Sequence, residues 1–196
     1  MTPLPEHLLE SVAAEAVREG LADALFTSVA TPIGKLTVVT GAGGAVVRIG
    51  FAEDPQDRVL AGVAAGLGPR VLRTDRELAP VREALQAYFE EGSTAELTLP
   101  YDLRLMASPF RRAVLEALAQ GTHRGETIRY GELATRVGNP KAARAVGTAC
   151  ATNPIPILVP CHRVLPSTGG IGNYGGGVPR KIQLLELEGA LPARLA

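Results

Sequence analysis

The chain has 196 residues, of which 46% are hydrophobic and 20% charged, a composition typical of a globular protein with one or two domains. No apolar run is long enough to span a bilayer, so no membrane association is expected. The two Cys and three widely separated His have no metal-ligand spacing, and we expect no zinc site. The low cysteine content and the lack of a signal-peptide pattern predict a reducing, cytoplasmic environment.

The charged residues are distributed unevenly along a chain whose formal net charge is zero. Residues 1–100 carry 8 Lys/Arg and 14 Asp/Glu, whereas residues 101–196 carry 12 and 6. A basic half is typical of a domain that binds a polyanion, and an acidic half is typical of a scaffold that stays away from it. The charge pattern therefore favours nucleic-acid binding by residues 101–196.

Helical periodicity from Leu4 to Ala22 predicts an amphipathic helix at the start of the chain. Three β-rich segments follow, and they predict an antiparallel meander: Phe26–Val29, Lys35–Val39 and Ala45–Ile49. The glycines of Gly41–Gly44 resemble a phosphate loop, but neither a Lys-Ser/Thr pair nor a helix follows them. A hairpin turn is the better interpretation.

The rest of the first hundred residues predicts two more helices and an edge strand. Asp54 is the predicted N-cap of a helix that begins at Pro55 and runs to about Gly66. A second helix is predicted from Glu77 to Glu91, and alternating residues at 97–99 and 103–105 predict an edge strand. This part of the chain contains no constellation with obvious chemistry.

Residues 108–152 predict three helices, of which the last two have helix-turn-helix spacing. Ser108 is the predicted cap of the first, which runs to Gln120. The second opens at Glu126 and is broken at 138–140, and the third covers Lys141–Thr152. Two ordinary core helices are the alternative. The third helix consists mainly of small residues, with Arg144 its only large polar side chain after Lys141, which suits close approach to a DNA minor groove.

The most informative segment runs from Asn153 to Val164, where three prolines punctuate an apolar run that ends in Cys161 and His162. Proline excludes a regular helix, so a stiff, largely buried connector is predicted. An imidazole beside a thiol can generate the nucleophilic thiolate. On an extended strand the two side chains would point apart, so this chemistry requires a turn or a bridging water. A buried, inert cysteine is the alternative.

The flanking motifs decide between these interpretations. They are Arg144–Ala149, Pro160–Val164, Gly172–Gly177 with Lys181, and Leu184–Gly189, and in this order they resemble the O6-alkylguanine-DNA alkyltransferase family from about Phe110 to Gly189. The resemblance implies an α+β fold with two domains. Residues 1–100 would form a ribonuclease-H-like scaffold with a helical extension at 1–22, although similarity is weak there. Residues 101–196 would form a helical, winged-helix-like domain with a helix-turn-helix.

The resemblance also implies the roles of the site residues. Cys161 is the alkyl acceptor, His162 its base, Glu188 the group that orients the imidazole, and Tyr130 a donor to the guanine ring. Arg144 enters the base stack after nucleotide flipping, although a phosphate contact is the blander role. The remaining residues contact DNA or shape and support the pocket: Ala143, Ala145, Thr148, Cys150, Asn153, Pro156, Val164, Tyr174, Gly175 and Lys181.

The predicted function is DNA repair by direct reversal. A methyl or larger alkyl group passes irreversibly from O6-alkylguanine, and from O4-alkylthymine, to Cys161, without a cofactor. The expected partner is double-stranded DNA bound through its minor groove by a monomer that is associated with the bacterial nucleoid. Two alternatives are a lesion sensor without transferase activity, disfavoured because such relatives lack the cysteine, and a helix-turn-helix regulator, disfavoured by the scarcity of base-reading side chains. Small residues at Cys150 and Gly172, and the flat Pro156, further predict acceptance of benzyl adducts.

Overall fold

The computed structural model describes residues 5–90 and 92–192, and these divide into two compact units. The first contains the described residues up to Ala87 together with Thr98–Leu105. The second contains the described residues of 88–97 and those from Met106 onward. Helices and strands occur together throughout, so the predicted α+β class is confirmed.

A four-stranded sheet forms the centre of the first unit. Its strands are β1 (Ala24–Thr31), β2 (Gly34–Gly41), β3 (Val46–Gly50) and β4 (Val71–Arg73), in the order β3-β2-β1-β4. The first three form the predicted antiparallel meander, and the β2–β3 turn closes with Gly44 at a φ of 80°. The sequence did not predict β4, which pairs parallel with β1. Three residues are too few for the alternation that identifies a strand.

Helices α1 (Glu6–Arg18) and α2 (Gln56–Leu67) belong to the first unit. α1 matches the predicted amphipathic helix but is shorter, and its predicted start at Leu4 lies outside the described residues. Helix α2 covers one face of the sheet, where Val59 and Val63 join a buried core with strand residues Ala24, Phe26, Val39 and Val47. The predicted Asp54 N-cap is wrong, because its carboxylate accepts from the backbone N–H of Phe51 and caps the preceding turn.

The predicted edge strand at 97–99 and 103–105 is also wrong. Only an isolated bridge forms, between Val46 and Tyr101. Pro100 lacks a backbone N–H, and the carboxylate of Asp102 accepts from the backbone N–H of Arg104, which bends the chain into a turn. Helix α3 (Ala79–Phe89) is somewhat shorter than predicted and ends in the second unit, while the predicted end at Glu91 lies outside the described residues.

The helices of the second unit begin with α4 (Pro109–Gly121), where Ser108 Oγ accepts from Arg111 N at 3.4 Å as the predicted cap. Residues 128–129, predicted as helix, form the short strand β5 (Ile128–Arg129), because they pair parallel with β6 (Val164–Leu165). Helix α5 therefore starts only at Tyr130 and ends at Arg136. Helix α6 (Ala143–Ala151) follows after a turn containing Gly138.

The end of the second unit consists of a short 3-10 turn at Cys161–Arg163, the strand β6 and helix α7 (Val178–Leu187). The predicted connector at 154–160 is buried along its whole length. Glu188, predicted inside the last helix, directly follows α7 as its C-cap residue. Within residues 5–90 and 92–192, no helix combines the length and the apolar character needed to cross a membrane.

Candidate active site

The buried connector ends at Cys161, whose thiol is held by the side chain of Asn153. The Asn153 amide Nδ2 donates to the carbonyl of Val159 at 2.8 Å and lies 3.1 Å from Cys161 Sγ. Its Oδ1 accepts from the backbone N–H of Ile155 at 3.1 Å. One side chain therefore connects the end of α6 to both ends of the connector and to the sulfur atom. The amide donor can stabilise a negative charge on Sγ.

The chain turns at Cys161, which is the condition under which adjacent Cys and His side chains can act together. The backbone N–H of Arg163 donates to the carbonyl of Pro160, and residues 161–163 form one turn of 3-10 helix. His162 is fully buried, and its Nε2 lies 3.1 Å from Glu188 Oε1. This close contact is not aligned as a hydrogen bond, and among the described residues neither imidazole nitrogen has a well-aligned partner. The contact places the Glu188 carboxylate directly beside the imidazole.

Glu188 lies at the centre of a buried polar cluster. Arg163 donates to both of its oxygens, at 2.9 and 2.8 Å, and the Tyr88 hydroxyl donates to Oε1 at 2.6 Å. Burial alone would raise the pKa of Glu188, but His162 and Arg163 outweigh burial and hold it well below its usual value. Glu188 is therefore an anion at neutral pH. Arg163 also binds Glu96 at 2.9 Å, so its charge is shared between two carboxylates.

The thiol and the imidazole are both neutral at rest. Burial raises the pKa of Cys161 to about 11, although the Asn153 hydrogen bond and the positive charge of Lys181 oppose the increase. Burial lowers the pKa of His162, and Arg163 and Lys181 act in the same direction, against the opposing effect of Glu188. Sulfur chemistry at Cys161 therefore requires a proton to leave the thiol during the reaction.

Cys161 lines a cavity of about 610 Å³, a volume typical of small-molecule sites. Seven of the predicted site residues line it: Tyr130, Arg144, Thr148, Cys150, Cys161, Tyr174 and Gly175. The other lining residues are Gly147, Ala151, Pro166, Gly172 and Asn173. The structure thus brings the proposed nucleophile, the tyrosine and the isolated arginine to one cavity within the second unit.

Tyr130 reaches the cavity because of the β5–β6 pairing. The register Arg129–Leu165 places the first residue of α5 beside the chain that leaves the 3-10 turn, and the Arg129 guanidinium donates to the carbonyl of Pro166. Burial raises the pKa of Tyr130, with further contributions from Cys150 and Cys161. Its phenol therefore stays protonated at neutral pH and can donate a hydrogen bond into the cavity.

Helix α6 consists mainly of small residues, and Arg144 is its one long, positively charged side chain. Arg144, Ala145 and Thr148 are exposed, and Ala143 is half-buried. Both Arg144 and Thr148 also line the cavity. The predicted DNA-contacting residues therefore lie along the helix that borders the cavity.

The pocket-supporting residues lie at different depths. Lys181 is fully buried, and its Nζ donates to the carbonyls of Val164 at 2.7 Å and Asn173 at 3.4 Å. The Val164 carbonyl, predicted to accept from a guanine amino group, therefore already accepts one hydrogen bond, from Lys181. A carbonyl oxygen has two lone pairs and can accept a second hydrogen bond. Pro156 is buried in a bridge with Val159, and the residues that line the cavity do not include it. Its role as a flat apolar wall for an aromatic adduct stays a prediction.

The glycine-rich segment contributes Gly172, Asn173, Tyr174 and Gly175 to the cavity wall. Tyr174 is half-buried, and its ring lies edge-on to His162 at a centroid distance of 6.3 Å. Gly172 has a φ of 71°, and a Cβ atom there would lie 2.9 Å from Pro166 Cγ. Glycine is therefore needed at this position for both backbone and space.

Two residues of the cluster were not singled out from the sequence. Arg163 follows the Cys-His pair and could have been noticed as a third functional side chain. Tyr88 is 100 residues from Glu188 along the chain and occupies an ordinary core position of an amphipathic helix, so no sequence signal marks it. Cys150 and Cys161 are both free and buried. In the described part of the chain, no three His, Cys, Asp or Glu side chains are grouped to hold a metal ion.

These features define an α+β protein with a buried cysteine site beside the helix pair α5 and α6. Comparison with known proteins agrees. Residues 109–190 match the DNA-binding domain of 6-O-methylguanine DNA methyltransferase. Methylated-DNA–protein-cysteine methyltransferases are similar at 50% identity over 113 residues in Mycolicibacterium paratuberculosis and at 49% over 114 residues in Cricetulus griseus. These alignments cover 58% and 56% of this chain, but 66% and 54% of the relatives' own length.

Solved structures extend the similarity to most of the chain. The crystal structure of the Mycobacterium tuberculosis O6-methylguanine methyltransferase has a TM-score of 0.71 and 35% identity, and covers 87% of this chain and 96% of that one. Mycobacterium tuberculosis OGT in complex with DNA gives the same score and identity, with coverages of 85% and 93%. The chain belongs to the methylated-DNA–protein-cysteine methyltransferase family.

Proposed function

We propose that this protein repairs alkylated DNA by transferring the alkyl group from O6-alkylguanine, and from O4-alkylthymine, to Cys161. The main support is the position of the Cys161 thiol in the wall of a cavity that also contains Tyr130 and Arg144. A cavity of about 610 Å³ is large enough for a purine base. The relatives named methylated-DNA–protein-cysteine methyltransferase support the same reaction class.

The reaction begins with loss of the thiol proton. Because the thiol and imidazole are neutral at rest, this proton passes to His162, directly or through a water, while the anionic Glu188 stabilises the imidazolium. Sγ then bonds to the alkyl carbon as the bond from that carbon to O6 breaks. The electron pair stays on the guanine, which takes up one proton in place of the alkyl group and so balances the proton that the thiol lost. The unmodified guanine remains part of the DNA. The thioether has no leaving route, so each molecule reacts once.

Tyr130 and Arg144 act on the alkylated nucleotide rather than on the sulfur of Cys161. The phenol of Tyr130 donates to the guanine ring as negative charge develops there, which its raised pKa permits. The lesion atom lies inside the base pair, so the nucleotide must flip into the cavity. Arg144, at the cavity edge on an otherwise small-residue helix, fills the vacated space in the stack.

The proposed partner is double-stranded DNA bound through its minor groove, where the small residues of α6 allow close approach. We further propose that the protein acts as a cytoplasmic monomer, since a free reactive thiol requires a reducing compartment. The sheet order β3-β2-β1-β4 supports a ribonuclease-H-like first domain, and the helix-turn-helix with the β5–β6 pair supports a winged-helix-like second domain.

Mass spectrometry tests the proposal. After incubation with duplex DNA containing O6-methylguanine, the intact protein should gain one methyl group, and fragment masses should assign it to Cys161. Cys161→Ser should gain none and still bind the duplex. A lesion sensor would bind the duplex with no mass change in the wild type. A methyl group on another residue, or repair by Cys161→Ser, would refute the mechanism.

A further inference from the structure

Tyr88 occupies a position in the site cluster that the reaction described above does not use. It is 1% exposed in the last turn of α3, and its hydroxyl donates to Glu188 Oε1 at 2.6 Å. The same oxygen accepts from Arg163 at 2.8 Å and lies 3.1 Å from His162 Nε2. Three groups therefore compete for one carboxylate oxygen, and Tyr88 makes the shortest of the three contacts.

The tyrosine ring is itself held firmly. The Arg124 guanidinium lies over its face, with Cζ 4.9 Å from the ring centroid, and Phe89 packs against it edge-on, also at 4.9 Å. Arg124 in turn donates to the carbonyls of Ser93, Ala95 and Leu187. The direction of the hydroxyl is therefore fixed by packing, as a positioning role requires.

We propose that Tyr88 is a positioning residue for alkyl transfer: by donating to Glu188 Oε1 it orients the carboxylate and limits how strongly that carboxylate attracts a proton on His162. The inference rests on the proposed function of Cys161 and His162. Tyr88 is not among the residues that line the cavity, so the proposed effect on the reaction passes through Glu188.

The direction of its effect follows from the charges around His162. The imidazole is faced by the Glu188 carboxylate, by Arg163 in its own turn, by Lys181 from α7, by the Cys161 thiol before it in the chain and by the Tyr174 ring. Of the charged groups, only Glu188 favours the imidazolium. A hydrogen bond from Tyr88 neutralises part of that negative charge. Removing it strengthens the pull of Glu188 on the proton and raises the pKa of His162.

The test is Tyr88→Phe, which keeps the ring and its packing and removes only the hydroxyl. We expect the pKa of His162, followed by NMR of labelled histidine, to rise by up to about 1 relative to wild type. The chain has three histidines, so His162→Asn assigns the signal and the other two act as internal references. The low-pH limb of the methyl-transfer rate should move to higher pH by the same amount. Tyr101→Phe, in the first unit, is the matched control and should change neither quantity.

Two further variants separate positioning from simple structural support. In the double variant Tyr88→Phe/Glu188→Gln, the pKa of His162 should equal that of Glu188→Gln alone. The negative charge of Glu188, through which Tyr88 is proposed to act, is then absent. Replacement of Tyr88 by 3-fluorotyrosine, a stronger hydrogen-bond donor, should lower the pKa of His162. The inference would be overturned if Tyr88→Phe lost stability while the pKa of His162 stayed unchanged. It would also be overturned if Tyr88→Phe changed that pKa equally in the Glu188→Gln background and in the wild type. The NMR titration needs no substrate, so absence of methyl transfer in wild type would refute the proposed function and leave this result readable.

Discussion

The hydrogen bond from Asn153 to Cys161 is the contact most directly tied to thiolate formation, and its loss should have a measurable cost. In Asn153→Ala, Sγ loses its donor at 3.1 Å, and the connector loses the Val159 and Ile155 contacts. Hydrogen bonds to charged groups contribute about 1.5–3 kcal/mol, so the pKa of Cys161, already raised to about 11, should rise by roughly 1 to 2 more.

The effect on rate is smaller than the effect on ionisation. At pH 8 the thiolate fraction should fall about ten- to hundredfold. A thiolate of higher pKa is also a better nucleophile, with a Brønsted coefficient of about 0.4–0.5, so the alkylation rate should fall only about three- to tenfold. The alkylation rate should fall further in Asn153→Asp than in Asn153→Ala. The new carboxylate keeps the Ile155 contact but places a negative charge beside the sulfur, which disfavours the thiolate.

The assay is the pH dependence of Cys161 alkylation by iodoacetamide, with Cys150 and Cys161 distinguished by fragment masses. This reagent reports the thiolate without DNA binding or base flipping. A wild-type pH profile in Asn153→Ala would show that the hydrogen bond does not stabilise the thiolate. Asn153→Asp reacting as fast as Asn153→Ala would refute the electrostatic part of the reasoning.

Two further predictions concern the substrate. Arg144→Ala should slow repair of duplex DNA at least about tenfold while leaving the reaction with free O6-alkylguanine unchanged. Equal losses of rate on both substrates would indicate a structural role. A shallower salt dependence of DNA binding in the variant would indicate that Arg144 contacts a phosphate. Wild-type protein should be inactivated by free O6-benzylguanine, since burying the benzyl group contributes about 1–3 kcal/mol, and Cys150→Met should reduce this inactivation without slowing methyl transfer. Full residual activity on methylated DNA after preincubation of the wild type would contradict the second prediction. Gly172→Trp is not a suitable variant for narrowing the cavity. The backbone of Gly172 has a φ of 71°, and a side chain there would clash with Pro166, so the substitution would strain the segment.

The sequence predicted the elements that depend on local signals. The meander, the Ser108 cap and the buried proline-rich connector follow from period, capping residue and proline spacing, and the structure confirms them. The errors occur where a distant partner decides the conformation. Residues 128–129 are a strand because β6 lies beside them, and the Asp54 carboxylate is already used by the preceding turn.

The site shows the same division. Cys161 and His162 are adjacent in sequence, and a motif identifies them, but the Tyr88 contact joins residues 100 positions apart. Pro156 was predicted to be a flat apolar wall, but its burial in the connector depends on which face of the connector meets the core, and no local pattern gives that. The Lys181 bond to Val164 likewise depends on how α7 packs against the 3-10 turn.

The electrostatics of the site fit a protein that reacts only once. A permanently ionised thiol would be consumed by any electrophile that entered the cavity. Burial instead keeps Cys161 protonated and His162 neutral, while Asn153 and Lys181 favour the thiolate and Glu188 favours the imidazolium. A hydrogen bond from Tyr130 to the departing base stabilises charge that develops only in the transition state, so proton transfer and bond breaking are favoured only when an alkylated base is bound. In the proposed reaction the substrate itself therefore supplies the last part of the activation, and the single thiol is kept for alkylated bases.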